Sequence, residues 1–224
     1  MVDDIRFVQY LVLRVDPAWR RLGAKSRADG RAELAGAVRA ASGVVTDAYS
    51  TVGLKAGADI LLWWRAATPK ATQDLTAAIL QTGMGAYCEV AHTLWGITRP
   101  SVYTKRRTEQ DDALSAPTRL ACLIVYPFVK TPEWYHLTSE ERQRMMAEHM
   151  RVGHQFDDVR QVLVYTTGLD DQEFVVAYET DRIERHHELV VALRATEARL
   201  YTQRDTPIFT AIHRPLDDVL ATAG

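Results

Sequence analysis

Long uninterrupted apolar runs are missing from this chain, and so is any surplus of one charge. Its 224 residues carry 27 Lys and Arg against 29 Asp and Glu, a formal net charge of -2. That balance gives no electrostatic ground for a nucleic acid or an anionic membrane surface as partner. Cysteine is scarce: Cys88 and Cys122 stand far apart with no CxxC pattern, which argues against a disulfide framework and a thiolate zinc site. HExxH, HxxEH and zinc-spaced Cys/His clusters are lacking too, as a zinc hydrolase would require them. The opening stretch, MVDDIRFVQYLVLRV, has acids where a secretion signal needs a basic lead, and its apolar run is too short for a bilayer; a cytoplasmic protein is expected.

What is present is ordinary globular material, 47% apolar and 25% charged, with enough chain for one large domain or two small ones. Branched and aromatic runs bounded by turn residues predict a strand over 5–13, then a helix over 26–41, then strands over 44–52 and 60–65 around Lys55-Ala56-Gly57. A helix over 72–81, opened by Thr68-Pro69, and strand material within 91–103 complete this half. The stretch 104–117, TKRRTEQDDALSAP, is charged and turn-rich without apolar periodicity, and reads as a linker. The order then repeats: strand 120–128, helix 138–153, strands 159–166 and 173–178 across Gly168-Leu169-Asp170-Asp171, helix 183–201, strand 208–213 and a short helix over 216–223. Two copies of β-α-β-β-α-β predict an α+β protein with two ferredoxin-like halves, 1–103 and 118–224. Each half would leave one sheet face bare, and packing these faces sheet to sheet would create an apolar interior suited to a pocket.

The helix over 138–153 carries the most informative residue. Thr138 followed by Glu141 is a capping-box signature, which puts His149 in the last turn, in line with Met145 and Val152 on the apolar stripe. An imidazole turned inward is either a core histidine bonded to a carbonyl, favoured by the negative end of the helix dipole, or a ligand. In the helix over 183–201, Glu197 falls on the stripe of Leu189, Val190, Leu193 and Leu200. A carboxylate there is either a solvated helix-end charge paired with Arg194 or Arg199, or the group that accepts the Nδ1 hydrogen of a metal-bound histidine. One histidine with an acid behind it suits haem better than zinc.

Several of these stretches resemble the chlorite dismutase family, which includes coproheme decarboxylases and has the dimeric α+β barrel fold. The likeness rests on Tyr126-Pro127-Phe128 with Lys130, Glu133-Trp134-Tyr135, Met145-Met146-Ala147-Glu148-His149, Thr167-Gly168-Leu169-Asp170-Asp171 with Glu173-Phe174, and Leu193-Arg194 leading to Glu197. In the N-terminal half the clearest match is Ala58-Asp59-Ile60 to Trp64. The resemblance implies an iron porphyrin, coproheme or haem b, held by His149 with Glu197 behind it and Trp134 beside it, and a ring-like homo-oligomer, usually a pentamer. Chlorite dismutases carry a distal arginine where this chain has Gln161; a glutamine there is similar to one lineage of coproheme decarboxylases, in which residues matching Tyr126 and Lys130 form the radical and assist at a propionate. Strand alternation places Gln161 on one side with Val159, Leu163 and Tyr165 and would let Tyr126 and Lys130 flank one substrate edge if the strand runs past Phe128. The Arg-Leu-Tyr-Pro segment of that lineage is missing; Lys105-Arg106-Arg107 and Arg119 stand instead. The implied activity is peroxide-driven decarboxylation of coproheme to haem b. Its alternatives are chlorite breakdown to chloride and dioxygen, a haem carrier or sensor without turnover, and a ring without cofactor.

Overall fold

The computed structural model describes residues 7–99, 113–114 and 116–224. The expected linker over 104–117, with Lys105-Arg106-Arg107, lies outside the described residues except for its last few positions. The chain forms two compact units, one of Met1–Thr98 with Phe209–Gly224, the other of Arg99–Ile208.

The first unit runs β1 (Phe7–Val15), α1 (Ala24–Ala40), β2 (Val44–Ser50), β3 (Ile60–Ala66), α2 (Pro69–Leu80) and β4 (Cys88–Ile97). Its strands are antiparallel in the order β4-β1-β3-β2, the ferredoxin-like arrangement. The β2–β3 turn holds Gly57 at φ 76°, a left-handed conformation that glycine adopts without steric cost. Thr68 caps α2 by accepting the Ala71 amide at 3.3 Å, with Pro69 in the first turn. The helices bury Leu34, Val38, Leu75 and Ile79 against Leu11, Leu13, Leu62 and Trp64 in one continuous core.

The second unit begins with β5 (Cys122–Lys130), a short α3 (Pro132–His136), α4 (Ser139–Gly153), β6 (Arg160–Tyr165), β7 (Phe174–Thr180), α5 (Ile183–Arg194) and a small strand β8 (Thr202–Arg204). Within it the order is β8-β5-β7-β6, all antiparallel. The α+β class and ferredoxin-like pattern therefore hold, with one change of boundary. The last strand, β9 (Phe209–His213), pairs with β2, and α6 (Leu216–Ala223) buries Val219, Leu220 and Ala223 in the first unit's core. Sequence order keeps these elements with the C-terminal half; long-range pairing assigns them to the other unit. Among the described residues no helix is long and apolar enough to cross a membrane.

Two glycines lower the helical propensity of α1, and the structure explains one of them. A Cβ on Gly30 would stand 2.8 Å from the Met84 amide nitrogen and 2.9 Å from the Trp19 ring. Gly30→Ala therefore overpacks the core although alanine is the better helix former. We expect a loss of about 1–3 kcal/mol by urea unfolding, where an exposed helix site would gain about 1 kcal/mol.

Candidate functional site

The sheet of the second unit has two unlike faces. On one, Leu123, Val125, Val162, Val164, Val175 and Ala177 are all at most 4% exposed. The other carries Tyr126 and Phe128 from β5, Phe174, Val176 and Tyr178 from β7, and Gln161, Leu163 and Tyr165 from β6. Tyr178 and its cross-strand neighbour Ile124 are buried, but the other residues named on this face are only half-buried and Leu163 is 43% exposed. The helix layer above explains why. Among the described residues this layer forms small clusters, Trp134-Met145-Ala198 at one place and Val159-Tyr178-Leu189 at another. Met145, the buried residue of α4, packs with Trp134 of α3 and Ala198 of the 3-10 helix Glu197–Tyr201, neither of them on a strand. The helix that carries His149 thus leaves the apolar face of the sheet half-buried.

That helix starts as its sequence signals. Thr138 accepts from the Glu141 amide at 3.2 Å, and the Glu141 carboxylate accepts from the Thr138 amide at 2.8 Å. His149 lies one turn beyond the buried Met145 and is itself half-buried. Burial, helped by the Lys130 charge and opposed by Glu148, drives the imidazole from 6.5 down to about 4, so the ring is neutral at pH 7. Its Nδ1 lies 3.5 Å from the Thr196 hydroxyl. That hydroxyl donates its own hydrogen to the Leu193 carbonyl at 2.7 Å and can only accept from the ring. The contact is long, yet it favours the tautomer with hydrogen on Nδ1 and leaves the Nε2 lone pair for a ligand.

Glu197 is therefore not behind His149 in this structure. The expected helix over 183–201 ends at Arg194; Thr196 is extended, and Glu197 opens a 3-10 turn instead of extending the stripe. Its carboxylate accepts from Arg144 at 2.6 and 2.8 Å, an exposed pair worth little to stability. The reading as a solvated charge thus fits Glu197, with Arg144 and not Arg194 or Arg199 as its partner. Thr196 occupies the place assigned to an acid, and a β-branched residue after a helical stripe gave no sign of it.

The remaining candidates form two groups. Lys130 and Trp134 lie near His149: the Lys130 ammonium stands 4.0 Å from the Trp134 ring centroid and donates to the Ala198 carbonyl at 3.2 Å. Only 8% exposed, Lys130 is lowered to about 8, first by burial, with Arg199 adding and Glu173 opposing. Tyr126 belongs to the second group. Its ring is 6.2 Å from that of Tyr178, and Gln161 pairs directly with Tyr178 across β6 and β7. β5 runs on to Lys130, so the alternation that carries Tyr126 and Phe128 continues and leaves the Lys130 ammonium 5.3 Å from the Phe128 ring centroid; the register shift between Val129 and Lys130 skips a residue of β8. Arg119 is spent elsewhere: it is buried against Glu179 at 3.1 Å, on the face opposite Tyr126. Sequence reading also missed the cations around Asp205, which lies 2.9 Å from Arg199 and 3.7 Å from Arg194.

These residues fit an iron porphyrin. A flat apolar group could lie on the half-buried apolar sheet face, a neutral Nε2 can bind iron, and Lys130, Arg194 and Arg199 can face acidic side arms. Among the described residues no group of three or more His, Cys, Asp or Glu could hold a bare metal ion.

Comparison with known proteins gives the same direction. The family model described as Chlorite dismutase matches residues 27–214. A coproheme decarboxylase of Mycolicibacterium smegmatis is 32% identical over 98% of this chain and 94% of its own length. A chlorite dismutase of Ideonella dechloratans is 29% identical over 80% of this chain and 66% of its own length. A mutant chlorite dismutase from Candidatus Nitrospira defluvii has a similar structure, with TM-score 0.90 at 28% identity, covering 98% of this chain and 95% of the other.

A second buried imidazole gives a pH test. His186, against Tyr178, is pushed by burial from 6.5 to about 4. The unfolded chain then binds more protons than the folded one between these values. Stability from this residue is full above pH 6.5 and is lost as the pH falls through about 4. We expect the melting temperature to drop across that window and the drop to be shallower in His186→Phe; equal slopes would refute the assignment.

Proposed function

The chain belongs to the chlorite dismutase family, and from that premise we propose that it is an iron-porphyrin enzyme converting coproheme to haem b by peroxide-driven oxidative decarboxylation. The observation that carries this reading is the neutral imidazole of His149, on a helix whose unit has a half-buried apolar sheet face. The porphyrin iron, when bound, supplies the oxidising power drawn from hydrogen peroxide.

The chain's own residues do the placing. His149 holds the iron and Trp134 walls that side. The cations Lys130, Arg194 and Arg199 set a positive edge for carboxylate side arms, with Lys130 acting as a point charge. Tyr126 is the oxidisable group beside a propionate: burial and its contact with Tyr178 keep the phenol protonated, so it gives up a hydrogen atom and not a lone electron. Gln161 bounds the other side as a neutral amide. A homo-oligomer, a pentamer, belongs to the same reading.

Chlorite breakdown is the second reading, supported by the chlorite dismutases among the relatives. Gln161 speaks against it, because a neutral amide cannot hold an oxyanion as a guanidinium does.

Purified protein loaded with ferric coproporphyrin and given stepwise peroxide is expected to yield pigment lighter by carboxyl groups on mass analysis. In Tyr126→Phe binding should persist while product formation falls about a hundredfold or more. Unimpaired decarboxylation by that variant would remove Tyr126 from the reaction, and dioxygen from chlorite without decarboxylation would favour the second reading.

A further inference from the structure

Tyr126 does not stand alone on its sheet face. Tyr178 lies diagonally across from it, because Ile124 pairs with Tyr178 and Tyr126 with Val176. The two rings are 6.2 Å apart with planes 29° from parallel, and the phenols bear on each other's ionisation, Tyr178 raising Tyr126 and Tyr126 lowering Tyr178. Tyr178 is 5% exposed. Behind it, His186 on α5 packs with ring centroids 5.0 Å apart, its Nε2 buried and without a hydrogen-bond partner among the described residues. The shell around Tyr178 is apolar, Val159 and Leu189 with Phe156, Val176 and Leu193. Asp205 and Arg194 are the charges that bear on Tyr126, and among the described residues no charged side chain contributes to the shift of Tyr178. A half-buried phenol therefore leads to a dry one and then to a neutral imidazole.

We propose that Tyr178 is a second oxidisable residue in series with Tyr126, exchanging a hydrogen atom with it and drawing off oxidising equivalents that substrate does not consume. The proposal rests on the reading above, in which Tyr126 is oxidised in turnover. The exchange balances within the pair. The O–H bond of Tyr178 breaks, one electron and one proton cross to the oxygen radical of Tyr126, the O–H bond of Tyr126 re-forms, and the radical remains on Tyr178. Two phenols have nearly equal O–H bonds, so surroundings decide the direction. No charge is created in the apolar shell, where an ion would be costly. Tyr178 acts through Tyr126 and is not in position to be a substrate contact of its own. His186 closes the buried end, its neutral ring leaving the phenol free of an ionic partner.

The test places a radical trap at the second position. Tyr178→3-aminotyrosine, introduced into the full chain and loaded with ferric coproporphyrin, is treated with peroxide, frozen and read by electron paramagnetic resonance and pigment mass analysis. We expect an aminotyrosyl signal, loss of product per peroxide, and absence of that signal when Tyr126→Phe is added. Tyr178→Phe should keep the first turnovers but bleach sooner under excess peroxide. A normal product yield with no aminotyrosyl signal overturns the relay and leaves the decarboxylase reading standing. An aminotyrosyl signal in a protein that never decarboxylates, with or without the trap, supports the relay and overturns the activity.

Discussion

The second unit depends on where α4 buries itself: its Met145 packs against Trp134 and Ala198, neither of them on the sheet. A ferredoxin-like half normally buries one sheet face under its helices in a single core, and the first unit does so, with Leu34, Val38, Leu75 and Ile79 closing over β1 and β3. In the second unit the same element order yields, among the described residues, small clusters and an apolar face left half-buried. Apolar surface held this way is unfavourable by about 25 cal/mol for each Å² that could have been buried. A flat apolar guest would recover that energy, and the helix above offers it the Nε2 of His149.

Electrostatics follow from the same packing. Burial without a strong partner keeps His149 neutral, and the Thr196 hydroxyl, already donating to Leu193, turns the ring's hydrogen to Nδ1. Lys130 is lowered but not discharged, lying along Trp134 with its ammonium on a backbone carbonyl. Asp205 gathers Arg194 and Arg199 close by. The result is an apolar bed with a base on one side and cations at an edge, which is the arrangement a carboxylate-bearing porphyrin asks for.

Much of this was legible in the chain. Local signals carried the elements: Thr138 with Glu141 started α4, Thr68-Pro69 started α2, and the Lys55-Ala56-Gly57 turn joined β2 to β3. Where local rhythm and long-range packing part, the reading failed. The apolar period of α5 continues to Leu200, but the helix stops at Arg194 and Leu200 is 77% exposed, so Glu197 was given a core position it does not occupy. Strand alternation held to the end of β5 and carried Lys130 beside Phe128, from where its ammonium also reaches Trp134. The pairing of β9 with β2 joins residues at opposite ends of the sequence, beyond the reach of any short pattern. Tyr178 and His186 gave no motif; only the register across β5 and β7 brings them into line with Tyr126.

The central claim is that His149 is the iron ligand. Resonance Raman spectra of the reduced protein loaded with iron coproporphyrin, alongside His149→Ala, test it directly. The account expects an iron–imidazole stretching band in the parent protein, absent from the variant, with affinity at least about tenfold weaker. The same band and the same affinity in His149→Ala would contradict it.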